Sequence, residues 1–330
     1  MKSGKLSPDD LRRLVLGKLG TRRADVLVHA ALGEDSAVID FGAESCVLSA
    51  DPITAAGERA GWLGVHVACN DIAAMGAAPV GVLATVLLPE ASEESVVAVL
   101  MDDMHRAAAE LGIEILGGHT EVTPGILAPI LSMTAVGRVP RERIVRSSGA
   151  RPGDALVLTK WAGLEGTAIL ATDCASVLDG RLSAEMLGAA QRCIDLVSVV
   201  REGRAAAELG ATAMHDPTEG GVLGALWEMA EASACGFELD VEAVPIRPET
   251  RAICDAFGAD PLRLISSGAL LIACPDGDGM VRGLQAQALT ATVIGQVVEH
   301  ERVLLHAGQR LPAGPVWRDE LWRVLEALTP

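Results

Sequence analysis

Tyrosine is absent from this 330-residue sequence, and three phenylalanines and five tryptophans are its only aromatic residues. An aromatic platform for stacking bases is therefore not expected. Basic residues are also in deficit. Lys and Arg number 27 against 44 Asp and Glu, giving a net charge of -17 and a pI near 4.8. Nucleic acid and anionic membranes both require a basic footprint, so neither is an expected partner. The seven cysteines include no C-x-x-C pair, and their odd number argues against a complete disulfide framework. Reduced thiols and a cytoplasmic location are the expectation. The start, Met1-Lys2-Ser3-Gly4-Lys5-Leu6, leads into no apolar signal core, and no apolar run reaches membrane-spanning length.

What the sequence does contain is acid in apolar surroundings. Asn70-Asp71-Ile72-Ala73-Ala74-Met75-Gly76-Ala77-Ala78-Pro79 sets an amide and a carboxylate in an otherwise apolar run. A carboxylate withdrawn from water needs a cation, a metal or hydrogen-bond donors beside it. A helix cap is the alternative reading of Asp71 alone. Three further sites repeat the pattern. Gly33-Glu34-Asp35-Ser36-Ala37-Val38-Ile39 reads as a turn into a strand, and Ser45-Cys46-Val47-Leu48-Ser49-Ala50-Asp51-Pro52 as a buried strand ending in an acid. Gly117-Gly118-His119-Thr120-Glu121 follows the apolar run Ile113 to Leu116. Hard cations such as Mg2+ take carboxylate and phosphate oxygens, and glycines let backbone amides approach phosphates. A magnesium nucleotide fits this set.

A fifth piece, Met214-His215-Asp216-Pro217-Thr218-Glu219-Gly220-Gly221, precedes Leu223, Leu226, Trp227 and Ala230 at helical spacing. Paired glycines in the first turn of a helix leave amides open for an anion, whereas close packing of an Asp-capped helix is the competing reading.

The layout suggests two domains of mixed α and β structure, with the break in the turn-rich stretch Ser147 to Asp154, giving units 1–148 and 149–330. The first unit is expected to hold a helix over Leu6 to Leu19 and strands at Cys46 to Ser49, Val82 to Leu88, Ile113 to Leu116 and Ile130 to Val136. Between these strands come a helix carrying Trp62, Val65 and Ile72 and another from about Ser92 to Leu111. The second unit is expected to hold strands at Ala155 to Thr159, Gly236 to Val241, Ala269 to Cys274 and Thr292 to Val298. Its helices are expected near Ala184 to Glu208, Glu249 to Phe257 and Val281 to Leu289. Lys160, in a glycine-punctuated loop, is placed to reach a phosphate or to stand solvated at a strand end.

The ordered set G-E-D-S-A, S-A-D, N-D-I-A-A-M-G-A-A-P, G-G-H-T-E and H-D-P-T-E-G-G resembles the aminoimidazole ribonucleotide (AIR) synthetase superfamily over about Gly4 to Val298. The likeness is strongest to its HypE-like, AIR synthase-related branch. This resemblance implies a PurM-like α+β (α/β layered) fold. The N-terminal ATP/Mg-binding and dimerisation domain would pair with a second subunit in a dimer barrel, and the C-terminal domain would be of α/β type. Two departures stand out. The chain closes Leu325-Glu326-Ala327-Leu328-Thr329-Pro330 with Cys274 as its last cysteine, so dehydration of a group carried on a C-terminal thiol is not expected. His119 stands where relatives show an aspartate.

By resemblance, Asp35, Asp51, Asp71 and Glu121 are expected to bind metal. Asn70, Gly117, Gly118, Thr120, Gly220, Gly221, Lys5 and Lys160 would contact the cofactor, and Asp216 and His119 would serve in catalysis. His119 can exchange protons near neutrality, and a structural role in the glycine loop is its alternative. The implied cofactors are ATP and Mg2+. The implied activity is phosphorylation of an oxygen on a small molecule or carrier-bound group before dehydration or cyclisation, by a homodimer. A small-molecule kinase of the thiamine monophosphate kinase type and a non-catalytic nucleotide-binding maturation partner are the alternatives.

Overall fold

The computed structural model describes residues 7–16, 18–54, 59–316 and 318–328. Lys5 lies outside the described residues. The chain begins with α1 (Pro8–Asp10), where the Ser7 hydroxyl accepts from the Asp10 amide at 3.2 Å, and continues as a π-helical turn over Leu11–Val15. The helix expected to Leu19 thus stops within two turns.

Three antiparallel strands follow, β1 (Val26–Val28), β2 (Ala37–Asp40) and β3 (Glu44–Ile53). In β3 the inward set Ser45, Val47 and Ser49 alternates with more exposed residues, and Asp51 has the same parity. Then comes α2 (Ala60–Ala74), whose 15 residues are all buried. A helix apolar on every side has no solvent face, and α2 is accordingly enclosed by sheet, helix and the second half of the chain. Strand β4 (Ala78–Leu88), helix α3 (Glu94–Leu111), strand β5 (Glu114–Val122) and strand β6 (Ile130–Pro140) complete this half.

Its sheet runs β1-β2-β3-β6-β4-β5, with β4 and β5 parallel and every other pair antiparallel. Among the described residues neither this sheet nor the second closes on itself, which corrects the expected barrel. Closure requires the two edge strands to meet. Here β1 has only three residues, and four strands separate it from β5, so the sheet stays open with α2 and α3 packed on one face.

The second half contains β7 (Ala155–Thr159), α4 (Leu164–Asp173), α5 (Ala175–Leu178), α6 (Ala184–Gln191), α7 (Val200–Glu208), β8 (Ala213–His215) and α8 (Gly221–Ala232). It continues with β9 (Gly236–Asp240), α9 (Pro248–Phe257), β10 (Leu271–Cys274), α10 (Gly277–Gln285), β11 (Ala291–Val298), β12 (Arg302–His306), β13 (Gln309–Pro312) and α11 (Glu320–Leu328). The single helix expected over 184–208 is broken by a 3-10 turn at Arg192–Leu196, and α10 ends four residues before the expected Leu289. The sheet order is β13-β12-β9-β11-β7-β10-β8, mixed through the parallel pair β9 and β12. The two halves share apolar surface: Val197, Ile194 and Val200 pack into the first core, and Ala74 and Val145 into the second. No helix among the described residues is long and apolar enough to cross a membrane.

Candidate functional site

Where the halves meet, the chain leaves a cleft of about 940 Å3. Its floor is acidic. Asp35 comes from the turn before β2, Asp51 from β3, Asp71 from the last turn of α2 and Asp216 from the segment after β8. Gly33 makes this convergence possible. It sits at φ +79°, and a Cβ there would stand 2.6 Å from the Glu228 carbonyl oxygen of α8, so only glycine lets the turn approach that helix.

Asp71 is 8% exposed and lies where the negative end of the α2 dipole already disfavours a charge. Burial, followed by Asp216, Asp51 and Asp35, pushes its carboxyl well above the usual range. The Ser49 hydroxyl donates to its Oδ2 and lies 3.3 Å from Asp51 Oδ2, while Ser36 Oγ donates to the Asp71 carbonyl at 3.2 Å. Asp216, 2% exposed, is raised to about 7 by burial and by Asp35, and its Oδ2 has no hydrogen-bond partner.

His215 is fully enclosed between carboxylates. Nδ1 contacts Asp35, and Nε2 lies 2.9 Å from Glu228 Oε2. Burial works against a charged ring, but Asp35 and Glu228 overcome it and hold the imidazole well above the usual histidine range. Ser147 donates to Asp35 Oδ2 at 3.2 Å. Deeper in the cleft, burial raises Glu165 to about 7, with Asp319 and Asp216 adding to it. Asp319 is likewise raised to about 7 by burial. Leu321 and Trp322 of α11 form part of the cleft wall.

Other residues singled out in the sequence lie elsewhere. Gly117, Gly118, His119, Thr120 and Glu121 are inside β5 rather than after a strand, at the exposed sheet edge and outside the cleft lining. His119 Nε2 pairs with Glu121 Oε2 at 2.9 Å in the open. Asn70 is fully buried and acts between the halves. Its Nδ2 donates to Val197 O and its Oδ1 accepts from Val199 N, both at 2.8 Å. Lys160 is neither solvated nor in the cleft lining. It pairs with Glu202 at 3.0 Å and donates to the Leu196 and Ser198 carbonyls, and burial lowers its pKa against the pull of Glu202. The expected open amides of Gly220 and Gly221 are taken. Gly220 N donates to Asp319 Oδ2 at 2.6 Å and Gly221 N to Thr218 O at 3.0 Å. Their positive φ values, +91° and +62°, serve a tight helix entry in which a Cβ on Gly221 would meet the Leu264 carbonyl at 2.6 Å.

His215, Glu228, Glu165 and Asp319 were not among the sequence candidates. For His215 the signal was its place beside Asp216. The other three are single acids in helical or turn patterns, and nothing local distinguishes them from solvated ones.

The chain matches two family descriptions: AIR synthase related protein, N-terminal domain, over residues 33–139, and AIR synthase related protein, C-terminal domain, over residues 151–307. It is 31% identical to carbamoyl dehydratase HypE of Rhizobium leguminosarum bv. viciae over 277 residues, covering 81% of this chain and 77% of that protein. Among solved structures, hydrogenase maturation protein HypE in complex with ATP superposes with a TM-score of 0.73 at 24% identity, over 97% of this chain and 98% of that one. Thiamine monophosphate kinase from Aquifex aeolicus does so with a TM-score of 0.69 at 21% identity, over 91% and 97%. Both likenesses are of fold. Family matches across both halves, together with the 31% identity, make this chain a member of the AIR synthase related, PurM-like family that includes the HypE proteins.

Proposed function

We propose that this chain is an ATP-dependent enzyme. It uses Mg2+ to place a nucleotide in the cleft and phosphorylates an oxygen of a small molecule or carrier-bound group, priming it for dehydration or cyclisation. One observation carries the reading: Asp35, Asp51, Asp71 and Asp216 face a single cleft whose described lining contains no Lys or Arg. Phosphates approaching such a floor would be repelled unless cations stand between. Buried carboxylates with an unpartnered oxygen suit hard cations, as at Asp216 Oδ2. When bound, magnesium neutralises charge between phosphate oxygens, the main requirement of phosphoryl transfer. Asp35, Asp51 and Asp71 would hold that cation, and Ser49 and Ser36 orient Asp71 for it. Asp216, raised to about 7, can accept or return a proton at neutral pH. The segment 1–148 is assigned the nucleotide and 149–330 the acceptor side.

The chain is further proposed to be a homodimer, since Leu83 and Leu116 on the neighbouring strands β4 and β5 are 41% and 45% exposed on the face of the first sheet turned away from its core. The test is a thermal shift with ATP and Mg2+, alongside ATP turnover against a metabolite pool. The native chain should show a Mg2+-dependent shift that Asp71→Asn abolishes. A shift that survives the substitution sinks the metal assignment. Binding without turnover would favour the non-catalytic maturation partner, and a stable phosphorylated product would favour the kinase.

A further inference from the structure

A site made for magnesium alone has no use for a nitrogen ligand, yet an imidazole stands at the centre of this one. We infer that Asp35, His215 and Asp216 form a mixed nitrogen and oxygen site for a divalent first-row transition ion of the Zn2+ class, an ion distinct from any magnesium that accompanies a nucleotide and sharing Asp35 with it. One ligand atom from each of the three lies within 4.8 Å of the others, a span that a single ion bridges.

The surroundings are organised as metal sites are. His215 Nε2 is held at 2.9 Å by Glu228 Oε2, which leaves Nδ1 turned toward Asp35. A carboxylate on the far nitrogen is the usual way a protein fixes the ring of a metal-binding histidine. Ser147 occupies Asp35 Oδ2, so Oδ1 is the oxygen presented to the ring. Asp216 contributes the independent sign. Its side chain belongs to a residue 98% buried, and its Oδ2 meets no donor. An anionic oxygen left unpaired at that depth calls for a cation. Imidazole nitrogen selects the ion: it suits Zn2+, Fe2+ and Ni2+, whereas Mg2+ keeps to oxygen ligands and water.

This inference concerns the same cleft as the proposed nucleotide site but needs no nucleotide. The experiment therefore uses chelator-stripped full-length protein with metal alone. Zn2+ is titrated calorimetrically, and Mn2+ serves as the paramagnetic probe for electron spin echo modulation by directly bound nitrogen. The expected result is one Zn2+ per chain, displaced poorly by Mg2+, and a 14N modulation on bound Mn2+. His215→Gln should remove that modulation and weaken Zn2+ binding about tenfold or more. Should His215→Gln fail to fold, native protein grown with 15N-histidine tests whether the bound nitrogen is a histidine's, because the modulation must then move to the 15N frequency, and a modulation that stays at 14N overturns the inference. Oxygen-only coordination, or 14N modulation that persists in folded His215→Gln, overturns the inference. A Mg2+-ATP thermal shift on the same sample separates the two claims: a shift with oxygen-only Mn2+ overturns the transition-metal site alone, and nitrogen-bound Mn2+ without a shift overturns the nucleotide reading alone.

Discussion

Asp71 shows how a single residue changes meaning once its neighbours are known. As an acid in an apolar run it fits a helix cap as well as a ligand. Placed in the last turn of α2, with Asp51, Asp35 and Asp216 nearby, it cannot be capping the start of that helix. Glu165 is the contrary case, inconspicuous in sequence and fully enclosed in the fold. It is 5% exposed, one oxygen lacks a partner, and burial brings it to about 7. Glu165→Gln removes a buried charge at alkaline pH while keeping the shape. It should stabilise the chain at pH 8 by about 2 kcal/mol in urea unfolding, given roughly 1.4 kcal/mol per unit of pKa displacement. No gain, or a loss, would show that Glu165 already has a compensating partner at that pH.

At the scale of elements, α2 is the axis of the site and Asn70 is its fastening. The side chain joins the helix to the segment 197–199 through two buried hydrogen bonds. Cutting both leaves a carbonyl and an amide without partners in the interior, so Asn70→Ala should cost roughly 2–4 kcal/mol. Urea denaturation checks this, and a cost below 1 kcal/mol would mean that water replaces the lost contacts. Elements also explain why the G-G-H-T-E motif did not join the cleft. Strand β3, which carries Asp51, is three inter-strand steps from β5, roughly 14 Å at the usual spacing. Alternation along β3 could be read in the sequence and set Ser49 and Asp51 on one face. Which strands would intervene between β3 and β5 could not be read, because strand order depends on long-range pairing.

For the whole molecule, charge sets the pH response. Glu165 and Asp319 have folded pKa values of about 7, above their unfolded ones, so the stability they lend is complete below about pH 4 and is lost as pH rises through 7. His66 acts in the opposite sense. Burial lowers it to about 4, and its contribution is lost only as pH falls below its ordinary value of 6.5. Between pH 6.5 and 8.5 these carboxylates, Asp216 and the raised His215 all act in the same sense, and the melting temperature without divalent cations should fall by something on the order of 5 °C. Differential scanning fluorimetry across that window is the check, and a flat profile contradicts the burial of these acids. The open first sheet makes a second prediction. Leu83→Glu puts a charge on its exposed apolar side, and analytical ultracentrifugation should then show weaker self-association with an unchanged melting temperature of the monomer. A native chain that sediments as a monomer at all concentrations rejects the proposed homodimer.

Local chemistry alone determined a good deal about this protein: apolar periodicity marked most strands and helices, and acids in apolar company marked Asp35, Asp51 and Asp71, while Asp216 entered through its motif and the family resemblance. Those signals survive because a buried charge is costly wherever the chain takes it. Tertiary structure alone decided that these four meet while Lys160, Asn70 and the paired glycines spend their polar groups on the fold. It also left the first sheet open and set His215 between Asp35 and Glu228. Partners far apart in the chain are fixed by packing, and no local pattern encodes which carboxylate will stand beside which ring.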